Sequence, residues 1–289
     1  MRGRGSAALA FRGLGAGLPP TPVWEESLVD MLRMPRKALK IAGRRLTQMG
    51  LIDRSRPSAA QVERLRLEPD FVELLASTDA IDRFSTKLVT TYKAVEYVVR
   101  SGVPGDLAEC GVYRGRHVAV MALTLLRLGA ADRDIYLYDT FEGMTPPGEH
   151  DGRVDGRETA DAVRQKWEEA VGGDQGIRRA AGLEEVRRRV LRTGYPEERL
   201  HFVKGDVRET LPASAPKAIA LLRLDTDWYE STRHELEHLY ELVSPRGVVV
   251  VDDYGAFEGS RKAVDEFFEK HGSFPMLFRT DRSERALLK

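Results

Sequence analysis

Leu221 to Thr232 read "LLRLDTDWYEST", and Gly247 to Gly255 read "GVVVVDDYG". Each begins as a short, nearly continuous apolar run and then delivers two aspartates: Asp225 and Asp227 in the first, Asp252 and Asp253 in the second. Apolar runs of this length, rich in Val and Leu, suit strands buried on both faces, and a helix-length amphipathic stretch lies between the two. The same alternation repeats outward from this pair. Strands are expected at "LAECGV" (107–112), "IYLYDT" (135–140), "HFVKGD" (201–206), "AIALLRLD" (218–225) and "GVVVVDD" (247–253). Helices are expected at about 115–129, 159–170, 183–193, 231–243 and 259–271. Apolar strands joined by helices predict an α/β fold, a Rossmann-like parallel sheet with helices on both faces. The last stretch, "MLFRTDRSERALLK" (276–289), predicts a closing hairpin.

Upstream of this pattern the chain reads as helix. Residues 25–50 predict two pieces broken at Pro35, "RSRPSAA" (54–60) a linker, and Phe71 to Arg100 further helices closed by Gly102 and Pro104. The opening "MRGRGSAALAFRGLGAGLPPTP" is Arg-rich and acid-free, as in organelle transit peptides. It is also dense in Gly and Pro and aperiodic, so disorder is the expectation. The organisation expected is a disordered extension (1–24), a helical cap (25–104) and an α/β domain (105–289) with a lid-like insertion at 144–195.

Composition narrows the function classes. The 289 residues carry a formal net charge of zero, so the chain as a whole exerts no pull on nucleic acid or membrane. Residues 1–60 hold eleven Lys/Arg against four Asp/Glu, yet their only aromatics are Phe11 and Trp24, which suits a solvated basic face better than a nucleic-acid arm. No apolar run approaches the ~20 residues of a membrane span. The single cysteine, Cys110, excludes a disulfide framework and a cysteine-rich zinc site, and fits a cytoplasmic setting.

In open parallel sheets, ligands bind beyond the carboxyl ends of the strands. "AECGVYRG" puts Glu109 at the first such end and Gly111 and Gly115 in the turn. "YLYDT" puts Asp139 at the second, 28 residues past Gly111, where a carboxylate can accept ribose hydroxyls. "KGD" puts Asp206 at the third, in reach of an adenine amine. The turn is Gly-x-x-x-Gly rather than Gly-x-Gly-x-x-Gly, so it lacks the glycine that admits a pyrophosphate. A nucleoside without phosphates, such as S-adenosylmethionine, suits it better. Four aspartates at the ends of two neighbouring strands would repel and raise one another's pKa unless a divalent cation sat among them. All-oxygen ligands favour Mg²⁺, Ca²⁺ or Mn²⁺.

The segments "PGDLAECGVYRG", "YLYDTFEGM", "FVKGDVRETLP", "ALLRLDTDWYEST" and "GVVVVDDYGAFEGSRKAVDEF" together resemble the macrocin O-methyltransferase family over about residues 81–271. The resemblance implies a class I methyltransferase fold. It also implies an S-adenosylmethionine- and metal-dependent (Mg²⁺ or Mn²⁺) transferase acting on sugar hydroxyls of glycosylated natural products, as in antibiotic biosynthesis. It puts the metal triad, laid out as in catechol O-methyltransferase, on Asp225, Asp252 and Asp253. It puts cofactor binding on Glu109, Gly111, Asp139 and Asp206, with Tyr113, Gly115, Phe141 and Val207 beside them in the same motifs. The general base falls in the pair Asp225 and Asp227. The implied partner is a small glycosylated or polyhydroxylated acceptor, with no nucleic acid and no membrane; a homo-oligomer stays open. Three features depart from the family: Cys110 stands where Thr is expected, Arg116 and His117 where small or apolar residues are usual, and 144–195 is long.

Three rival readings stand beside this one. "HELEH" (His234 to His238) matches a zinc-protease pattern, with Glu258 as a third ligand 20 residues on. On a helical wheel, however, both histidines project away from the apolar face formed by Thr232, Leu236, Leu239, Tyr240 and Val243. A nicotinamide dehydrogenase leaves the four aspartates unexplained. A non-catalytic S-adenosylmethionine-binding scaffold would bind the cofactor and transfer nothing.

Overall fold

The computed structural model describes residues 69–289 apart from 77, 79, 82–84 and 171–180. The expected extension (1–24), the helices of 25–50 and the linker 54–60 lie outside the described residues. Two helices lead in, α1 (Pro69–Ala76) and α2 (Thr86–Arg100), the latter capped by the Ser85 hydroxyl. The alternating part follows: β1 (Asp106–Cys110), α3 (Arg116–Arg127), β2 (Ile135–Asp139), α4 (Ala160–Glu169), α5 (Leu183–Leu191), β3 (Leu200–Lys204), the one-turn α6 (Val207–Thr210), β4 (Ile219–Leu224), α7 (Tyr229–Leu239), β5 (Val243–Val251) and α8 (Glu258–Lys270). The hairpin of β6 (Phe278–Arg279) and β7 (Arg285–Leu288) closes the chain, as expected.

The seven strands run in the order β3-β2-β1-β4-β5-β7-β6. Strands β1 to β5 are parallel, and β7 pairs antiparallel with β5. Side chains alternate across this sheet, as the pleat dictates. Leu107, Leu137, Leu221, Val248 and Val250 pack with α2, α3 and α5. Ala108, Tyr138, Leu222, Leu224, Val249 and Val251 pack with α7 and α8. The strand order reverses between β1 and β4, so the crevice between their carboxyl ends is the topological switch point where ligands lodge.

The largest boundary difference from expectation is where the helix expected to run to 243 ends at Leu239 and the next strand begins. β5 starts at Val243, not Gly247. Ser244, Pro245, Arg246 and Gly247 read as a turn, and Arg246 does take a left-handed φ of 67°. The sheet absorbs them as an irregularity: Ile219 pairs with Val243, and two residues later Leu221 pairs with Val248.

The insertion carries α4 and α5 at the expected places. α5 seats Val186 and Val190 in the core against α3. Its first part lies over the starts of α7 and α8, where Val163, Trp228 and Phe257 form a small separate core with Met144 and Ala256.

Candidate active site

β4 and β5 run side by side with Leu224 opposite Val251, so the segments leaving them emerge together. The Asp225 N–H donates to Cys110 O at 2.8 Å, and the Asp252 N–H to Leu224 O at 2.9 Å, which fixes both exits against the sheet. One carboxylate oxygen from each of Asp225, Asp227 and Asp253 lies within 4.8 Å of the others. Asp252 points elsewhere: Oδ1 accepts from Arg223 Nη2 and Oδ2 from Lys87 Nζ. Thus Asp225 and Asp253 belong both to the triad implied by the resemblance and to the group gathered here. The third member of that group is Asp227, and Asp252 is held on two cations.

The electrostatics follow from this division. Burial alone would push Asp252 up, but Arg223 and Lys87 outweigh it and hold the carboxyl below its ordinary range. Asp253 has no such neighbour within bonding distance. Burial, then the Asp227 and Asp252 carboxylates, push it well above the ordinary range. Its Oδ2 is buried with no partner. Burial also raises Asp225, against the pull of Arg223. An orphaned buried carboxylate oxygen within a three-aspartate group offers oxygen donors of the kind hard dications take.

Sequence reasoning missed Arg223. It sits 1 % exposed next to the last residue of β4, bonded through Nη1 to Glu109 Oε1 at 3.0 Å and to Asp225 Oδ2 at 2.6 Å. Nη2 reaches Asp252 and lies 3.8 Å from Glu284 Oε2. One guanidinium therefore joins the ends of β1, β4, β5 and β7, a fork geometry that lysine cannot supply. An arginine inside the apolar run "LLRLD" was the available signal. Lys87, from the first turn of α2, was missed because nothing local marks it; only the fold brings it to β5.

On the other side of the crevice is a cradle. The Asp139 Oδ2 accepts from the Val112 and Tyr113 N–H groups, both at 2.8 Å, and Oδ1 from the Phe141 N–H at 2.7 Å. These bonds lower its pKa but do not offset burial, which raises it. Asp139 thus pins the β1 turn, with the Thr140 hydroxyl also 3.5 Å from Oδ1. Asp206 caps α6 and is bonded by Arg208; burial opposes its charge, yet Arg208 draws its pKa down. Tyr113, Phe141 and Asp227 all adopt left-handed φ values, of 49°, 53° and 68°. Strain of this kind in non-glycine residues, about 1–3 kcal/mol each, collects where loops must present a site.

A cavity of about 470 Å³ joins cradle and acidic centre. Gly111, Tyr113, Asp139, Asp206, Val207, Asp225, Asp227, Asp252 and Asp253 all line it. Three expected site residues fall outside the lining. Glu109 lies beneath it on Arg223, Phe141 is in the core, and Gly115 supports α5, where a Cβ would stand 3.0 Å from Val186 Cγ1. The far wall holds Arg153 and Asp155 of the insertion and Arg282 and Ser283 of the β6–β7 turn. His117, beside the cradle, faces the cavity with Nδ1 2.7 Å from Thr91 Oγ1; burial and Arg223 push its pKa well down.

The model of the family described as Macrocin-O-methyltransferase (TylF) matches residues 83–283. The chain belongs to the macrocin O-methyltransferase family. Among curated relatives, it is 36 % identical over 178 residues to the 8-demethyl-8-(2,3-dimethoxy-alpha-L-rhamnosyl)-tetracenomycin-C 4'-O-methyltransferase of Streptomyces olivaceus, covering 62 % of this chain and 63 % of that one. It is 35 % identical over 196 residues to the demethyldecarbamoylnovobiocin O-methyltransferase of Streptomyces niveus, covering 68 % of this chain and 70 % of that one. The chain thus spans somewhat under two thirds of the first of these relatives. Of solved structures, the O-methyltransferase NovP superposes with a TM-score of 0.60 at 32 % identity, over 71 % of this chain and 79 % of that one. The calicheamicin methyltransferase CalS11, at 21 % identity and a TM-score of 0.51 over 98 % and 99 % of the two chains, shares the fold. The sheet is that of class I methyltransferases.

In this member of the macrocin O-methyltransferase family, the "HELEH" histidines belong to no group of three metal-competent side chains among the described residues. The His234 and His238 rings meet edge to face at 4.2 Å on one helix turn, and among the described residues the sole metal-competent group is Asp225, Asp227 and Asp253. The Glu235 between them is fully buried, with the Thr226 side chain as the hydrogen-bonding group beside it. Burial pushes its pKa well above the ordinary range. A carboxyl raised on folding is favoured by the fold only while protonated. Its penalty is absent below the unfolded pKa and grows as pH rises above it. Glu235→Gln is therefore expected to raise Tm at pH 8 and to change it little at pH 4.5, with about 2–4 °C gained per kcal/mol relieved. Scanning calorimetry at the two pH values checks this; equal shifts would contradict it.

Proposed function

We propose that this protein is an S-adenosylmethionine-dependent, divalent-metal-dependent O-methyltransferase acting on a hydroxyl of a sugar or other vicinal diol, with a glycosylated natural product as acceptor. The observation that carries this reading is the group of Asp225, Asp227 and Asp253 at the switch point, opening on the same cavity as the β1–β2 cradle. The names of the curated relatives, O-methyltransferases of rhamnosylated and other natural products, support the acceptor class.

An alcohol with a pKa of ~15 costs about 11 kcal/mol to deprotonate fully at pH 7, at 1.36 kcal/mol per pKa unit. A bound Mg²⁺ or Mn²⁺ would supply Lewis acidity at the acceptor oxygen, and bound S-adenosylmethionine the methyl group. Asp225, Asp227 and Asp253 are the residues that would hold the metal, with Asp252, held by Lys87 and Arg223, beside them. The chain's own groups do the rest. A carboxylate oxygen of the Asp225/Asp227 pair takes the hydroxyl proton, a role worth about 10²–10⁴-fold. The Asp139-pinned turn holds the nucleoside end of the cofactor. Arg153, Asp155 and Arg282 orient the acceptor against it, and orientation contributes several kcal/mol more.

The test is transfer of a labelled methyl group from S-adenosylmethionine to a panel of glycosides carrying vicinal diols, with EDTA and with Mg²⁺ or Mn²⁺ restored. Transfer should vanish with EDTA and return with metal. Undiminished transfer in EDTA would remove the metal from the account. Cofactor binding with no transfer to any diol would favour the scaffold reading.

A further inference from the structure

Neither of the two helices that follow the aspartate loops caps itself. α7 starts after Trp228 and α8 after Phe257, and neither residue bonds the exposed N–H groups of its helix. Such groups are costly to leave unmet when covered by protein. Here the partner comes from the insertion. Asp151 is 1 % exposed, and its Oδ1 accepts from the Tyr229 N–H at 2.8 Å, the first residue of α7. Its Oδ2 accepts from the Gly148 N–H at 2.5 Å, which closes the insertion's own turn. The same Oδ1 sits against the backbone of Gly259 in the first turn of α8, so closely that any Cβ there would overlap it.

The neighbouring contacts repeat this arrangement. Gly152 O accepts from the Glu258 N–H at 2.8 Å, at the first residue of α8. The Val154 N–H donates to Ala256 O at 3.1 Å, and Trp228 Nε1 to Thr145 O at 2.8 Å. One carboxyl thus stands at the N-terminal ends of both helices, where the Gly148 and Tyr229 N–H groups partly offset the burial that raises its pKa. The loops entering those helices carry Asp225 and Asp227 on one side and Asp252 and Asp253 on the other.

We infer that Asp151 is a positioning residue: it latches the insertion to the starts of α7 and α8 and thereby sets the two loops that carry the acidic centre. The insertion wall that faces the acceptor, Arg153 and Asp155, is thereby tied to the carboxylates it must face. This inference rests on the reading of those four aspartates as the reaction centre, but its test does not require turnover.

Hydrogen exchange is followed in wild type, Asp151→Asn and Gly259→Ala. Asparagine keeps one acceptor oxygen but turns an N–H₂ toward a donor. The Gly259 change presses on the carboxylate without altering its charge, and its Cβ would also stand 2.9 Å from the Tyr229 N, so Asp151→Asn is the variant that isolates the carboxylate. Both variants should speed exchange of the Tyr229 amide and of peptides covering 225–229 and 148–158 by about tenfold, the scale of a lost helix cap. The double variant should add little to either single one, since both break the same contact. Exchange across β1 and α3 should stay at the wild-type rate, which separates this outcome from general destabilisation. Acceleration confined to 148–158, or spread evenly over the protein, would overturn the inference. Failure to find a methyl acceptor would leave these exchange results standing and would count against the proposed function alone.

Discussion

Replacing Arg223 with methionine is expected to cost about 3–5 kcal/mol of folding stability, the scale for removing one partner from a buried ion pair. The loss exceeds one hydrogen bond because several carboxylates depend on this group. Glu109 is 1 % exposed and Glu284 is 0 % exposed, and each already has its pKa raised by burial against the pull of Arg223, Glu284 to about 7. Without the guanidinium both would rise further. An acid raised on folding is penalised above its unfolded pKa, so the cost of Arg223→Met should be larger at pH 8 than at pH 5, where the carboxyls can take up protons. Arg223→Lys restores charge but not the fork, and should recover only part of the loss. Urea midpoints at the two pH values measure all of this. A midpoint for Arg223→Met within error of wild type at pH 8 would show that the four strand ends do not need their common cation.

The second large effect separates two adjacent residues. Asp253→Asn is expected to abolish most methyl transfer, by about 10²–10⁴-fold, and yet to raise Tm at pH 7–8. The carboxyl is raised well above its ordinary range and Oδ2 is unbonded, so at that pH a neutral isostere removes a penalty. Gain of stability with loss of function is the trade expected where like charges are held together for chemistry. Asp252→Asn should do the opposite to stability. Its carboxyl is held below the ordinary range and bonded to Arg223 and Lys87, so neutralising it weakens the pairing of the buried Arg223 and removes the ion pair of the half-buried Lys87. Its stabilisation is present above the unfolded pKa and would be lost as pH fell through the folded one. Thermal unfolding of the two variants at pH 7.5, beside initial transfer rates, reads both. The same direction of Tm change in both would contradict the division of roles.

The parts of this structure that were legible in the sequence are those written locally. Apolar runs with acidic ends marked the parallel strands, most plainly β1, β4 and β5, because a strand buried on both faces has few polar positions in which to hide its pattern. Tyr113, Phe141 and Asp227 lay in motifs read as site, and the structure holds each in a strained backbone. What was not legible depends on contacts between distant segments. Lys87 and Asp252 are 165 residues apart, and Asp151 and Tyr229 are 78 apart. Glu235 looked like the catalytic member of a zinc motif, but its direction depends on how α7 rolls on the sheet; Thr232, Leu236 and Leu239 turn it inward. The early start of β5 was hidden by Pro245 and Gly247, which imitate a turn within a strand that the sheet accommodates with an irregularity.

The central claim is that the carboxylates leaving β4 and β5 bind one hard dication beside the cofactor. Its most direct test is calorimetric titration of Mn²⁺ into wild type and Asp253→Asn, each saturated with S-adenosylhomocysteine. The account predicts a single saturable site in wild type and at least about a tenfold loss of affinity in the variant. No Mn²⁺ uptake by wild type at millimolar concentration, or equal affinity in both proteins, would contradict it.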